Sequence, residues 1–332
     1  MTPLANDGAV RDFLAGPLGM DPAGAQVEFL AGGVSSTVIR VVVAGDCFVI
    51  KQALPQLRAE AAWFSRPERS AIEARCAEVL GDLVPGSVLR VLRVVPDANA
   101  FTMECAPPGS DTWKADLMRG EVDPGVARAA GALLGHIHAR SCARPALASA
   151  FADTSFFREL RLAPYLEHTA TRHPELAGEL RWLVDRLCDP GICLVHGDYS
   201  PKNLLVTPAG DILLLDHEVA HWGQPAFDLA FVLTHLCLKG VHFHEPRFLD
   251  AAADLLAAYR GASTVTDGAA GVLCARLLAG LMLARVDGKS RVEYLTADDE
   301  RVVRDLTAGL LRGHVTDLDA VLEDVRGASA GG

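Results

Sequence analysis

The sequence predicts an α+β fold in two parts: a small N-terminal antiparallel sheet with one helix, then a larger, mainly helical part that carries a catalytic-type loop and a β-hairpin. Three observations predict it. Short β-branched runs separated by turn residues dominate the chain before residue 107. Pro107-Pro108-Gly109-Ser110-Asp111 then interrupts regular structure. Beyond that break apolar residues recur at helical spacing, except at Leu204 to Val206 and Ile212 to Leu215, which read as two short strands.

In chain order, a short helix is expected around Ala9 to Leu14, then a strand over Val27 to Leu30. Ala31-Gly32-Gly33-Val34-Ser35-Ser36 is a small-residue stretch, followed by a β-branched run from Thr37 to Val43, a turn at Ala44-Gly45-Asp46 and a strand from Cys47 to Lys51. Glycine permits close backbone approach, and the neighbouring N–H groups and the Ser35 and Ser36 hydroxyls suit phosphate oxygens, with Lys51 as a cation underneath. Ser70 to Leu80 has apolar residues at 72, 76, 79 and 80, the spacing of an amphipathic helix. On it Glu73 has two readings: partner of Lys51, with Glu60 in reserve, or the acidic member of a Ser70-x-x-Glu73 capping box. Val88 to Val95 and Ala100 to Glu104 complete a sheet of about five strands.

After the break, Val126, Ala130, Leu133 and Ile137 mark one face of a helix ending near His138 and Arg140, both of whose histidines (136 and 138) read as packing residues. Helices follow over Phe156 to Leu166 and Leu176 to Leu187. The apolar run Ile192 to Val195 ends at a His196-Gly197-Asp198 turn, which presents Asp198 at the end of a buried element. If the next hairpin closes on a four-residue turn, Val206 lies opposite Leu213 and Asn203 opposite Asp216. An amide oxygen and a carboxylate brought together in this way suit Mg²⁺. Residues 217–225 read as irregular, with Glu218 on the same side as Asp216 if the strand continues. Ala226 starts a helix, Leu277 to Val286 is another, and a polar helix follows Thr296. Arg285 and Asp287 either line an acceptor pocket or cap a helix end. The terminal Gly-Ala-Ser-Ala-Gly-Gly should fray.

Composition excludes several classes. A formal net charge of −11 over 332 residues gives no basic surplus for nucleic acid or for anionic membranes. The start of the chain lacks a basic and then apolar leader, and the apolar stretch Ala269 to Val286, interrupted by Arg276 and Arg285, reads as a core helix, so a cytoplasmic protein is expected. Eight scattered cysteines without a Cys-x-x-Cys pair favour buried thiols over disulfides or zinc. His235, His242 and His244 lack an accompanying ligand framework for a metal.

His196-Gly-Asp198-Tyr-Ser-Pro-Lys-Asn203-Leu-Leu, then Leu215-Asp216-His-Glu218 and Gly223-Gln-Pro-Ala-Phe-Asp228-Leu-Ala, resemble the aminoglycoside phosphotransferase and choline kinase superfamily. Lys51-Gln-Ala-Leu-Pro55 and Arg69-Ser-Ala-Ile-Glu73 are similar to methylthioribose kinases, although Asp216-His-Glu stands where those carry Asp-Pro-Glu. The resemblance implies a bilobal protein-kinase-like fold, with residues 1–106 a nucleotide-binding lobe, a hinge at about 103–108, and residues 107–332 a catalytic and acceptor-binding lobe. It implies a kinase that moves the γ-phosphate of ATP, with Mg²⁺, to a hydroxyl of a sugar, amino sugar, aminoglycoside or amino alcohol. The implied roles are Asp198 as base, Asn203 and Asp216 as metal ligands, and Lys51 with Glu73, Gly33, Ser35 and Ser36 around the phosphates. Backbone near Glu104 and Ala106 would meet adenine, Asp228 would brace the catalytic turn, Glu218 is a candidate second metal or acceptor contact, and Arg285 is a candidate acceptor contact. A non-catalytic nucleotide-binding regulator of the same fold is the alternative, and the oligomeric state is left open.

Overall fold

The computed structural model describes residues 3–30, 35–57 and 64–330. Gly33 and Glu60 therefore lie outside the described residues. The chain divides into two compact units. One comprises the residues up to Pro108 together with Asp216–Val219; the other comprises Gly109–Leu215 and the chain from Ala220 onward.

The first unit has a five-stranded antiparallel sheet among the described residues, in the order β1-β2-β3-β5-β4. Its elements are α1 (Asp7–Ala15), β1 (Gln26–Phe29), β2 (Ser36–Val43), β3 (Asp46–Ala53), α2 (Arg69–Leu83), β4 (Val91–Val95) and β5 (Ala100–Glu104). Ala44 and Gly45 both take positive φ, so β2 and β3 are joined by a tight two-residue hairpin turn with Val43 opposite Asp46. Side chains alternate across the sheet. Ile39, Val41, Val43, Phe48 and Ile50 face one side, where they form a core with Val10, Phe13 and Leu14 of α1. Lys51, next to Ile50, therefore faces the other side.

Facing strands also correct the expectation for the cysteines. Phe48 pairs with Glu104, so the next residues outward, Cys47 and Cys105, are opposed and form a disulfide with Cα atoms 5.9 Å apart. The other six cysteines are free thiols. A pairing 58 residues apart in sequence leaves no local spacing signal.

The second unit is mainly helical. It begins with β6 (Asp111–Thr112), α3 (Trp113–Met118) and α4 (Pro124–Cys142), whose Asp123 cap and first-turn Pro124 define its start. α5 (Ser155–Phe157), a π-helical segment over Arg158–Glu167 and α6 (His168–Arg172) follow without a break, where a single α-helix was expected. Pro164 has no N–H to donate, and the wider π turns accommodate it. Next come α7 (Ala177–Leu187), β7 (Cys193–Val195), β8 (Leu204–Val206), β9 (Ile212–Leu214) and β10 (His221–Gly223). β10 lies in the stretch read as irregular. Its pairing with β7 brings Gly191 so close to the backbone of Trp222 and Gly223 that a Cβ would lie 2.5 Å from it.

α8 (Ala226–Phe243), α9 (Pro246–Ala262), α10 (Ala269–Asp287), α11 (Ala297–Arg312) and α12 (Leu318–Ala330) complete the unit. The last helix takes in Gly327 to Ala330, which were expected to fray, because Val321, Leu322 and Val325 anchor it in the core. α8 and α10 are long and apolar enough to cross a membrane by length and composition, yet 89% and 67% of their windows are buried inside the protein. α4 and α9 cross at Gly131, where an added Cβ would lie 2.1 Å from the Leu255 carbonyl oxygen. Gly131→Ala is expected to force the two helices apart and cost about 1–3 kcal/mol of stability, read as a lowered urea midpoint.

Candidate functional site

In the first unit, strand alternation and helix periodicity select which charges meet. Lys51 stands on the β3 face away from α1, while Glu73 lies on the buried stripe of α2 with Ala77 and Leu80. Lys51 Nζ donates to Glu73 Oε1 at 2.5 Å and also to Asp216 Oδ1. Glu73 is therefore the partner of Lys51; α2 starts at Arg69, and its N-cap residue Glu68 makes no side-chain cap bond. Glu218 bonds instead to Arg69 at 2.8 Å, with both side chains buried. Carboxylate oxygens of Glu73, Asp216 and Glu218 lie within 4.8 Å of one another. This cluster does not come from a continuing strand: β9 ends at Leu214, and Asp216 takes a left-handed φ of 66°.

Burial raises the Glu73 carboxyl, as do Asp216 and Glu218, against the opposing pull of Lys51. Burial would lower Lys51, but Asp216 and Glu73 outweigh it and hold the ammonium charged. Three carboxylates with one lysine and one arginine leave an excess of negative charge, a donor set of hard oxygens that fits a divalent cation.

Arg69 stood in the sequence only as part of the Arg69-Ser-Ala-Ile-Glu73 motif, without a role of its own. It is wholly buried, and besides Glu218 it donates to the carbonyls of Ser35, Leu54, Ser65 and Arg66. It thus ties the chain after the glycine stretch to the start of α2. Ser35 and Ser36 are both buried, and the Ser36 hydroxyl has no hydrogen-bond partner among the described residues. At the end of β5 the Glu104 side chain goes to Arg90 and its N–H to the Arg90 carbonyl. Ala106 follows the disulfide-bonded Cys105 in an irregular segment.

In the second unit, Asp198 follows a turn at Gly197, which has φ 77°. Asp228 on α8 accepts the N–H groups of His196 and Gly197 at 2.7 and 2.8 Å, and His138 on α4 lies 3.3 Å from the same carboxylate. Burial works against the charge of Asp228, but the His138 and backbone hydrogen bonds hold its carboxyl below the ordinary value. Asp228→Asn removes a charged acceptor from two buried N–H groups. It should cost about 2–3 kcal/mol and lower turnover, checked by urea unfolding and initial rates.

Asp198 is 2% exposed, with Oδ2 2.9 Å from both Arg161 and Lys202 and 2.7 Å from the Asn203 amide nitrogen. With that nitrogen committed, the oxygen is the Asn203 atom available to a cation. Arg161 also donates to the Gly197 carbonyl, and it projects from the π-helical segment. Only its place among apolar residues of a helix hinted at a buried role.

The hairpin after Asn203 is one residue out of the expected register. Val206 pairs with Ile212 and Leu205 with Leu213, and the Leu215 N–H donates to the Asn203 carbonyl. Gly210, at φ 85°, lets the loop close between Thr207 and Asp211, leaving three residues in the turn instead of four. Asn203 therefore faces Leu215, and Asp216 follows outside the hairpin.

Asp198 also lines a cleft together with Lys202, Lys239, Arg285, Lys114 and Tyr165. Arg285 donates to Tyr165 and to Ser290, whereas Asp287 turns to His173 and Arg304. The three histidines considered as a metal group go to separate partners: His235 to the Phe231 ring, His242 to Asp299 and His244 to the Ser329 carbonyl.

The sequence profile of the phosphotransferase enzyme family matches residues 26–263, well over half of the chain. No curated protein sequence matches. Among solved structures, a choline/ethanolamine kinase family protein from Mesorhizobium loti is 17% identical, covering 96% of this chain and 98% of its own, with a TM-score of 0.53. Choline kinase from Streptococcus pneumoniae is 14% identical, with coverages of 92% and 99% and a TM-score of 0.54. Spectinomycin phosphotransferase, in complex with ADP and spectinomycin, is 13% identical, with coverages of 99% and 94% and a TM-score of 0.52. At these identities the likeness establishes a shared fold, that of the protein-kinase-like small-molecule kinases.

Proposed function

Because the chain belongs to the phosphotransferase enzyme family, we propose that it transfers the γ-phosphate of ATP to a hydroxyl group of a small molecule. The observation that carries this reading is Asp198: a buried carboxylate at a braced turn, set by Arg161, Lys202 and Asn203 at the wall of an open cleft. ADP in the spectinomycin phosphotransferase structure supports an adenine nucleotide as donor.

The roles follow from the chemistry of each group. Asp198 accepts the proton of the acceptor hydroxyl as that oxygen attacks phosphorus. Lys51, kept charged and held by Glu73, orients nucleotide phosphates, and the Ser36 hydroxyl, without a partner among the described residues, is a further donor on the same β2–β3 hairpin. Asn203 and Asp216 would hold Mg²⁺, with the Glu73 and Glu218 carboxylates beside Asp216. When bound there, Mg²⁺ would neutralise phosphate charge. Lys202 sits next to Asp198 to offset charge on the moving group. Glu104 and Ala106 offer backbone groups to adenine, and residues up to about 106 make up the nucleotide-binding lobe. Glu218 is committed to Arg69 and is left out of the acceptor set; Arg285 remains in it. Initial rates with Mg-ATP and a panel of hydroxylated compounds, including methylthioribose, test this. Failure of the chain to bind nucleotide would overturn it.

A further inference from the structure

Four cations line the cleft with Asp198: Lys114, Lys202, Lys239 and Arg285. Its two carboxylates are already engaged. Asp198 bonds to Arg161 and Lys202, and Glu293 bonds to Lys114 at the rim. That leaves Lys239 and Arg285 without a carboxylate within ion-pair distance among the described residues. Among the described residues Lys239, 1% exposed, has only the His235 carbonyl at 3.5 Å and the Tyr294 ring, 5.0 Å away. Among the described residues Arg285, 9% exposed, reaches the hydroxyls of Tyr165 and Ser290, the Ser290 carbonyl and the Tyr165 ring, 5.4 Å away. Its Nε, and the Tyr294 hydroxyl across the cleft, have no hydrogen-bond partner among the described residues.

Buried charges are ordinarily paired, and a guanidinium cannot shed its proton. The surroundings respond accordingly. Burial, with Lys114 and Arg285, pulls the Lys239 ammonium down to about 7 against a smaller opposing pull from Glu293. Burial would raise the Tyr165 phenol, but Arg285 and Arg161 bring it below its usual value. His235 is held neutral by burial and by Arg285, Lys239 and Lys202. The missing element is an anion supplied from outside.

The geometry points to an acceptor that carries, besides its reacting hydroxyl, a carboxylate or phosphate group bound by Lys239, Arg285 and the Tyr294 hydroxyl. This rests on the phosphotransferase reading, and it sets the chain apart from choline kinase, whose substrate is a cation. In the transfer, the acceptor oxygen forms its bond to the γ-phosphorus, the bond from that phosphorus to ADP breaks, and the hydroxyl proton goes to Asp198. The anionic group is unchanged and serves for recognition alone.

Calorimetric binding of glycerate, gluconate and glycerol phosphate to the full chain without nucleotide, against glycerol, sorbitol, choline and kanamycin at fixed ionic strength, tests the assignment. The carboxylate and phosphate arms distinguish the two sources of charge. At least one anionic probe is expected to bind more tightly than its uncharged counterpart. Lys239→Met should weaken that binding about 10–100-fold, the loss of one charge-assisted contact, with Mg-ATP affinity unchanged. Lys114→Ala, at the half-exposed rim, should weaken it less and guards against misfolding of the buried variant.

Equal or tighter binding of neutral or cationic compounds, or no anion binding, overturns the proposal. Phosphoryl transfer to choline or kanamycin alone would do so too, while leaving the kinase reading in place. Anion binding lost in Lys239→Met, with no nucleotide binding at all, would uphold the anion site and overturn the kinase reading.

Discussion

Asp198→Asn is expected to lower phosphoryl transfer by about 10²–10⁴-fold, the usual contribution of a positioned general base, while Mg-ATP affinity changes little. The amide matches the carboxylate in shape, so the Gly197 turn, still held by Asp228, keeps its course. What is lost is the proton acceptor, and with it the anion that Arg161 and Lys202 flank. Arg161 retains the carbonyls of Gly197 and Leu160, which limits the structural cost. Single-turnover transfer and nucleotide binding, measured separately on the variant, read the two effects apart. Undiminished transfer would remove Asp198 from the reaction.

Lys51→Met should be the most destabilising of the substitutions considered, by about 3–5 kcal/mol at pH 7, because it breaks a buried ion pair from one side. Lys51 is 6% exposed and Glu73 3%. Without the ammonium, the Glu73, Asp216 and Glu218 carboxylates, within 4.8 Å of one another, lose a counter-charge, while Arg69 still holds Glu218. The sign of the pH dependence follows. The Glu73 carboxyl, already raised by burial against the pull of Lys51, is raised further above its unfolded value in the folded variant, so the native state holds the extra proton, and the deficit grows as pH rises from 5 to 7. A divalent cation, which supplies the missing positive charge, should recover part of the loss. Urea midpoints at pH 5 and pH 7, with and without Mg²⁺, measure all three. A midpoint unchanged at pH 7 would mean that the pair contributes nothing to stability.

The sequence by itself determined what depends on near neighbours in the chain. β-branched runs and turn residues marked the five strands of the N-terminal sheet, and apolar periodicity marked most helices. The ordered set from His196 to Asp228 carried the family resemblance. Each of these is a local pattern, because backbone conformation and amphipathicity repeat over a few residues.

Tertiary structure alone decided the rest. Glu73 joins Lys51 in place of a helix cap, a choice made by β3 packing against α2 across 22 residues. Gly210 set the hairpin one residue away from the symmetric register, and β10 exists because β7 is there to pair with it. Cys47 meets Cys105 through the β3–β5 register. The cleft cations that lack a carboxylate partner among the described residues come from α8 and α10, which have no sequence spacing in common, so net charge of −11 for the whole chain conceals a positive pocket. Charge adds over the sequence without regard to position, whereas recognition depends on which few charges the fold gathers and leaves unneutralised.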